Sequence, residues 1–240
     1  GLLARRPTVL LFDIDGTLIT TGGMGRSAIE RAVADEVSRP VTPFPFSFGG
    51  MVDPVIVSRG LELLDVTPTP ELIERALKRY IHALAEEVSA APVYGVHDGV
   101  IDILDRVSGL PGVAVGLGTG NVDSGERIKL ERVGLNPYFD FGGYGSDAPL
   151  RPDLILCGAE RGATRLGVPL AECRLVIIGD TPKDIHAAHA NQGECVAVST
   201  GGVSGATLRE HHPDYLFGSL AEPGVLAAVL DGVSEPEDRP

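Results

Sequence analysis

Asp13 and Asp15 stand two residues apart where an apolar run, Val9 to Phe12, gives way to Gly16-Thr17-Leu18. Two adjacent carboxylates can divide nucleophilic and acid–base work when a metal keeps one ionised and leaves the other free to exchange a proton. Asp-x-Asp-Gly-Thr has four fixed letters, which chance supplies in about one chain of this length per thousand. An ordinary turn after a strand is therefore a poor account of it. A second pair of acids follows another apolar run: Ile177-Ile178-Gly179 leads into Asp180, with Asp184 four residues on at the opening of a helix. Mg²⁺ favours one or two carboxylates, with phosphate oxygens and water completing an octahedron, so Asp13 and Asp180 make a ligand pair if their strands are neighbours. Asp184 reads equally as an outer ligand and as a first-turn acid favoured by the helix dipole. A third run, Val113 to Gly118, delivers Thr119-Gly120-Asn121, whose hydroxyl and backbone N–H groups suit a phosphate oxygen.

These groups need a scaffold that brings three turns to one place. Each preceding run is apolar at nearly every position, the mark of a strand buried on both faces of a parallel sheet. Ligands of such sheets bind at the carboxyl ends of the strands, where all three groups lie. Gly16 lets the first turn bend sharply and approach a ligand closely.

Between the first strand and Pro92 the pattern is helical. An apolar stripe at helical spacing predicts a helix from about Met24 to Val37, and Pro40, Pro43 and Pro45 force an extended linker. Asp53-Pro54 reads as an N-cap and first helical residue of a helix to about Leu64, and Thr69-Pro70-Glu71 opens another to about Val88. The chain then alternates. Helices are expected over 100–107, 124–133, 153–166 and 184–190, and strands at 113–118, Tyr138–Phe141, 175–178, 195–198 and 215–217. The Pro- and acid-rich tail from Ser234 reads as disordered.

Asp13-Ile14-Asp15-Gly16-Thr17-Leu18 resembles the first motif of the haloacid dehalogenase-like hydrolases, Thr119 the second, and Gly179-Asp180 with Asp184 the fourth. The resemblance implies an α/β, Rossmann-like parallel sheet core over 1–18 and 92–233, with an α-helical cap domain inserted at 19–91. It implies an Mg²⁺-dependent phosphatase acting on a small phosphorylated metabolite, most like phosphoglycolate phosphatases. Asp13 would then be the nucleophile and Asp15 the acid–base group. Asp13, Asp15, Asp180 and Asp184 would serve the metal, and Thr119, Gly120, Asn121 and Lys183 the substrate. Where the family's third motif has lysine, this chain has Leu150-Arg151-Pro152-Asp153. Arg151 can neutralise the same charge with a larger, planar, bidentate group, and Lys183 is the alternative. Phe48 to Asp53 resembles the cap segment that helps select substrate, although helix capping is the better expectation for Asp53 itself. Asp15 favours phosphate chemistry, because dehalogenases of this superfamily typically lack that acid. A phosphomutase, or a noncatalytic phosphate-ligand binder on the same scaffold, is the alternative, with dehalogenation last.

Composition sets the outer limits. The 240 residues are 43% hydrophobic, ample for a core, and carry a formal net charge of −13, which argues against nonspecific binding to nucleic acid or an anionic membrane. Cys157, Cys173 and Cys195 have neither disulfide-framework nor zinc-ligand spacing and read as reduced, buried thiols. No signal or membrane segment is evident, so a cytoplasmic location is expected. Gly1 in place of Met reads as a trimmed start. His186 and His189, three apart on an expected helix, read as a solvated face; Arg26, near the start of the cap, reads as a solvated surface group, with contact to the far end of a substrate as the alternative. The sequence does not fix an oligomeric state.

Overall fold

A computed structural model describes residues 6–230, so the tail expected from Ser234 lies outside the described residues. The core opens with β1 (Thr8–Phe12), buried at every position, and the chain leaves it through β2 (Ile19–Thr20). Three helices follow: α1 (Met24–Glu36), α2 (Asp53–Leu63) and α3 (Pro70–Ala90). The chain returns along β3 (Gly95–Val96), which pairs antiparallel with β2 and ties the two stems of the helical insertion together.

The remainder alternates: α4 (Val100–Val107), β4 (Val113–Gly118), α5 (Asp123–Glu131), β5 (Gly142–Gly143), α6 (Arg151–Leu166), β6 (Arg174–Gly179), α7 (Pro182–Ala190), β7 (Glu194–Val198), α8 (Gly205–Glu210), β8 (Tyr215–Phe217) and α9 (Val225–Val229). The sheet runs β5-β4-β1-β6-β7-β8 with every pair parallel. This is the expected α/β core. Register places Phe12 opposite both Leu117 and Ile178, so Asp13, Thr119 and Asp180 emerge nearly level from neighbouring strands.

Strand alternation divides the core into two layers. Leu10 and Phe12 point to the side covered by α4 and α9, with Ile103, Leu104 and Val229. Val9 and Leu11 point to the side covered by α6 and α7, with Leu154, Ile155 and Ile185. The inserted helices hold a third cluster around Ile29, Val33, Phe44, Val57, Tyr80 and Leu84. α3 begins as expected, with the Thr69 hydroxyl accepting from the Leu72 N–H at 3.2 Å.

Three expectations are corrected. Tyr138–Phe141 is not a strand: Asn136–Tyr138 forms a short 3₁₀ turn, and the strand beside β4 is Gly142–Gly143. α6 packs so closely on that strand that a Cβ at Gly143 would lie 1.9 Å from the Leu154 carbonyl oxygen. Asp53 is the first residue of α2 and not its cap; Val52 holds the cap position in extended conformation. Cys195 is buried, while Cys157 and Cys173 are only partly so, and all three are unpaired. Among the described residues, no helix is long and apolar enough to cross a membrane.

Candidate active site

Asp13 continues the β1 ladder, its N–H donating to the Ile178 carbonyl at 2.9 Å, and its Oδ1 accepts from the Ile14 N–H at 2.8 Å. The turn that follows needs glycine. Gly16 has a φ of 81°, and a Cβ there would lie 2.2 Å from Asp180 Oδ2. Thr17 in the same turn donates its hydroxyl to Asp180 Oδ1 at 2.9 Å. The turn therefore shapes the bed of the acid on the next strand.

Asp184 closes this side. It sits in the first turn of α7 in a capping box with Thr181, and its Oδ2 accepts from the backbone N–H groups of Asp180 and Thr181 at 3.0 and 3.2 Å. Its Oδ1 accepts from Arg151 Nε and Nη2 at 3.1 and 2.7 Å. Arg151, at the start of α6, also places Nη2 3.0 Å from Asp13 Oδ2. It donates further to the carbonyls of Gly118 and of Gly50 in the loop before α2, at 3.3 and 3.2 Å. One guanidinium thus joins Asp13, the floor of the sheet and the helical insertion.

Asp13, Asp180 and Asp184 are all buried and offer oxygens within 4.8 Å of one another. Burial, then the neighbouring charge of Asp184, raises the Asp13 carboxyl well above the ordinary range, with Arg151 opposing the shift. Burial and Asp184 likewise push Asp180 up to about 8. A single guanidinium does not balance three carboxylates, so the donor set fits a divalent cation. Asp184 accepts two hydrogen bonds on Oδ1 and at least two on Oδ2, whereas each Asp13 oxygen has one donor and Asp180 takes the Thr17 hydroxyl on Oδ1, so Asp13 and Asp180 keep more capacity for direct ligation.

Asp15 faces the other way. Its side chain is 48% exposed, opening into a cavity beneath the inserted helices, and its carboxylate stands outside the acidic trio. The side chain of Asp15, expected to serve the metal, is thus placed apart from the other three acids. Its partner is Lys129, whose Nζ lies 2.9 and 3.1 Å from the two Asp15 oxygens and also donates to Asn121 Oδ1 at 2.6 Å. Asn121 Nδ2 completes the clamp, donating to Asp15 Oδ2 at 2.9 Å and to the Thr119 hydroxyl at 2.7 Å. Burial pulls the Asp15 pKa upward, but the Lys129 charge and the hydrogen bonds from Asn121 and Lys129 outweigh it and hold it below the usual value. The Thr119 oxygen also accepts from the Asn121 N–H at 3.0 Å, which leaves the hydroxyl proton to be donated elsewhere.

The cavity, about 210 Å³, is floored by Asp13, Asp15, Thr119, Gly120, Asn121, Lys129 and Arg151, and roofed by Arg26, Ile29, Phe48, Met51, Ile56 and Tyr80. Asp53 fastens roof to floor: its N–H donates to the Gly120 carbonyl at 2.8 Å and its Oδ2 accepts from the Val122 N–H at 3.0 Å. Burial pushes its carboxyl up to about 6, against the pull of Lys129.

The residues expected from sequence to carry chemistry thus converge, with one exception. Lys183 lines a separate cleft with Arg59 and His186, and Arg151 alone of the two candidates meets Asp13. Arg26 is no solvated surface group. It lines the cavity, donates to the carbonyls of Phe44 and Phe46, and lies 3.9 Å over the Phe48 ring. His186 and His189 take separate partners, His211 and Asp214. Sequence reasoning missed Lys129, whose signal was a lysine on the face of α5 that also carries Gly125 and Leu130, all buried. Gly25 makes room for it, since a Cβ there would lie 3.0 Å from Nζ.

The family profile of the haloacid dehalogenase-like hydrolases matches residues 10–189, and a HAD-hydrolase-like profile matches 159–223. The chain is 29% identical over 247 residues to a phosphoglycolate phosphatase of Pseudomonas syringae pv. tomato, covering 98% of this chain and 87% of that one. A crystal structure of a hydrolase from Pseudomonas syringae superposes with a TM-score of 0.66 at 20% identity, covering 89% of this chain and 94% of the other. A putative beta-phosphoglucomutase from Thermotoga maritima has the same fold, at a TM-score of 0.57 and 19% identity over 93% of this chain and 99% of the other. With three-quarters of its length inside one profile and its acids on neighbouring strand ends, this chain belongs to the haloacid dehalogenase-like hydrolases.

Proposed function

We propose that the protein is a Mg²⁺-dependent phosphomonoesterase that hydrolyses a small phosphorylated metabolite through an aspartyl-phosphate on Asp13. The observation that carries this reading is the division of labour between the two acids of the first turn. Asp13 sits among buried acids and one arginine, while Asp15 is turned into the cavity and held by Lys129 and Asn121. Asp13 and Asp180 would hold the metal, with Asp184 orienting Arg151. Bound there, Mg²⁺ supplies positive charge to the acids and to the phosphoryl oxygens.

In the first step an Asp13 oxygen forms a bond to phosphorus as the bond to the leaving oxygen breaks, and Asp15 delivers a proton to that oxygen. A phosphate dianion beside Asp15 raises its pKa, which lets it carry the proton despite Lys129. In the second step water attacks phosphorus, Asp15 takes its proton, and the Asp13–phosphorus bond breaks. The Thr119 hydroxyl and Arg151, both lining the cavity, would donate to phosphoryl oxygens. The inserted helices act as a cap that selects the leaving group and excludes water. The acidic surface and unpaired thiols suit a cytoplasmic enzyme of small molecules.

A phosphomutase would share the first step and differ in the acceptor, and the likeness to a putative beta-phosphoglucomutase keeps that reading in view. The test is phosphate release from an aryl phosphate and a panel of phosphorylated metabolites, phosphoglycolate included, by the protein and by Asp13→Asn, with Mg²⁺ or with EDTA. Release that requires Mg²⁺ and is lost in Asp13→Asn is expected. Absence of release from every compound refutes the phosphatase, and transfer to a sugar phosphate in its place identifies the mutase.

A further inference from the structure

The roof of the cavity contains a polar group without a hydrogen-bond partner among the described residues. Tyr80 on α3 is 0% exposed, its hydroxyl makes no hydrogen bond to any of them, and the residue lines the cavity beneath the inserted helices. Leaving a buried hydroxyl unsatisfied costs about 1–3 kcal/mol, which a ligand group placed against it removes. Asp53 is close enough for its charge to bear on the Tyr80 hydroxyl. One of its oxygens takes the Val122 N–H, while the Lys129 ammonium is directed to Asp15 and Asn121.

The cation of the roof is already engaged. Arg26 donates to the Phe44 and Phe46 carbonyls, lies over Phe48 and stands 3.5 Å from Glu30 Oε2. The unused capacity of the roof is therefore a carboxylate oxygen and a phenol, flanked by the apolar side chains of Ile29 and Ile56. Both polar groups bind hydroxyls. A second anion on the substrate would face the carboxylates of Asp53 and Asp15, while Arg26 is held by the Phe44 and Phe46 carbonyls and by Glu30.

We propose that Tyr80 and Asp53 form the leaving-group subsite, and that the substrate is the phosphate monoester of a small polyol, one hydroxyl of which is bound by this pair. A phosphate carrying a second acid group is disfavoured. The inference rests on the phosphatase reading of the same cavity and narrows it away from the substrate that the name of the Pseudomonas relative carries.

The test compares glycerol 1-phosphate, ethyl phosphate and phosphoglycolate with the protein and with Tyr80→Phe, which keeps the ring and removes one oxygen. The protein is expected to favour glycerol 1-phosphate over ethyl phosphate in kcat/KM by about tenfold, and Tyr80→Phe to cut that ratio about fivefold, chiefly through KM. Preference for phosphoglycolate over glycerol 1-phosphate, or an equal loss on all three esters in Tyr80→Phe, overturns the proposal. If the protein hydrolyses none of them, the phosphatase reading fails, and calorimetric titration of glycerol 1-phosphate into Asp13→Asn and Asp13→Asn/Tyr80→Phe then decides the subsite alone. Binding weakened about fivefold in the double variant supports it; equal binding, or none, refutes it.

Discussion

Replacing Arg151 by Met removes the cation from a buried group of acids while keeping much of the side-chain volume. The guanidinium lies 3.0 Å from Asp13 and 2.7 Å from Asp184. At an effective dielectric of about 20, each contact corresponds to about 6 kcal/mol of direct attraction. The burial of the guanidinium offsets a large part of this, and the loss on deletion is expected to be about 3–5 kcal/mol, the cost of leaving a buried charge without its partner. The loss must depend on pH. A carboxyl whose folded pKa lies above its unfolded value withdraws stability as pH rises from the unfolded value to the folded one. Asp13 and Asp180 are both of this kind, and removing Arg151 raises them further. Urea denaturation in EDTA at about pH 7.5 and about pH 5 should therefore show the larger deficit at the higher pH, with part of it recovered where the acids are neutral. A deficit below about 1 kcal/mol, or one of equal size at both pH values, would refute the argument that Arg151 neutralises this cluster.

Three further outcomes follow from the geometry. Lys129→Met takes the cation from Asp15 and favours its neutral form, so the limb of the pH–rate profile that belongs to Asp15 should move to higher pH; an unmoved limb means that Lys129 does not set that ionisation. Burial pushes Glu126 from 4.5 up to about 7, so its charged form opposes folding as pH rises through that window. Glu126→Gln should add about 2 kcal/mol at about pH 8 and almost nothing at about pH 4, after a discount for partial hydration, as read by thermal or urea unfolding. In Gly120→Ala, a Cβ would fall 2.0 Å from the Met51 carbonyl oxygen and push the loop before α2 off the floor. Turnover should drop about tenfold to hundredfold in kcat/KM, while far-UV circular dichroism reports an intact fold.

The sheet and three of its reactive turns were legible because each strand is a run of apolar residues ending abruptly in polar ones. Parallel register then does the rest, placing Asp13, Thr119 and Asp180 side by side. What escaped was decided by contacts between distant segments. Lys129 lies in Glu126-Arg127-Ile128-Lys129-Leu130-Glu131-Arg132, which reads as a charged helix surface. It is buried because Asp15, Asn121 and Gly25 converge on it from three other segments. Asp53-Pro54 obeys the local rule for a helix start, yet the helix begins one residue early and its carboxylate is claimed by Val122, 69 residues away. The strand at Gly142–Gly143 was hidden because glycine carries no strand preference, and a side chain is excluded at Gly143 by α6 and crowded at Gly142 by Leu117 and Tyr144. Tyr80 reads as an ordinary core aromatic, and its ring is one; only the three-dimensional arrangement reveals the idle hydroxyl.

Three hydrogen bonds across the seam between helices and sheet each have a main-chain atom on at least one side. The Asp53 N–H meets the Gly120 carbonyl, the Val122 N–H meets Asp53, and the Gly50 carbonyl meets Arg151. Peptide groups are the same whatever side chain they bear, so such a seam is indifferent to substitutions at Ile29, Phe48, Ile56 or Tyr80. Over evolutionary time the roof can exchange one recognition surface for another by single replacements while the mode of docking, and with it the chemistry below, is inherited unchanged. The same property offers a route for engineering, because selectivity can be redrawn on the roof without rebuilding the seam.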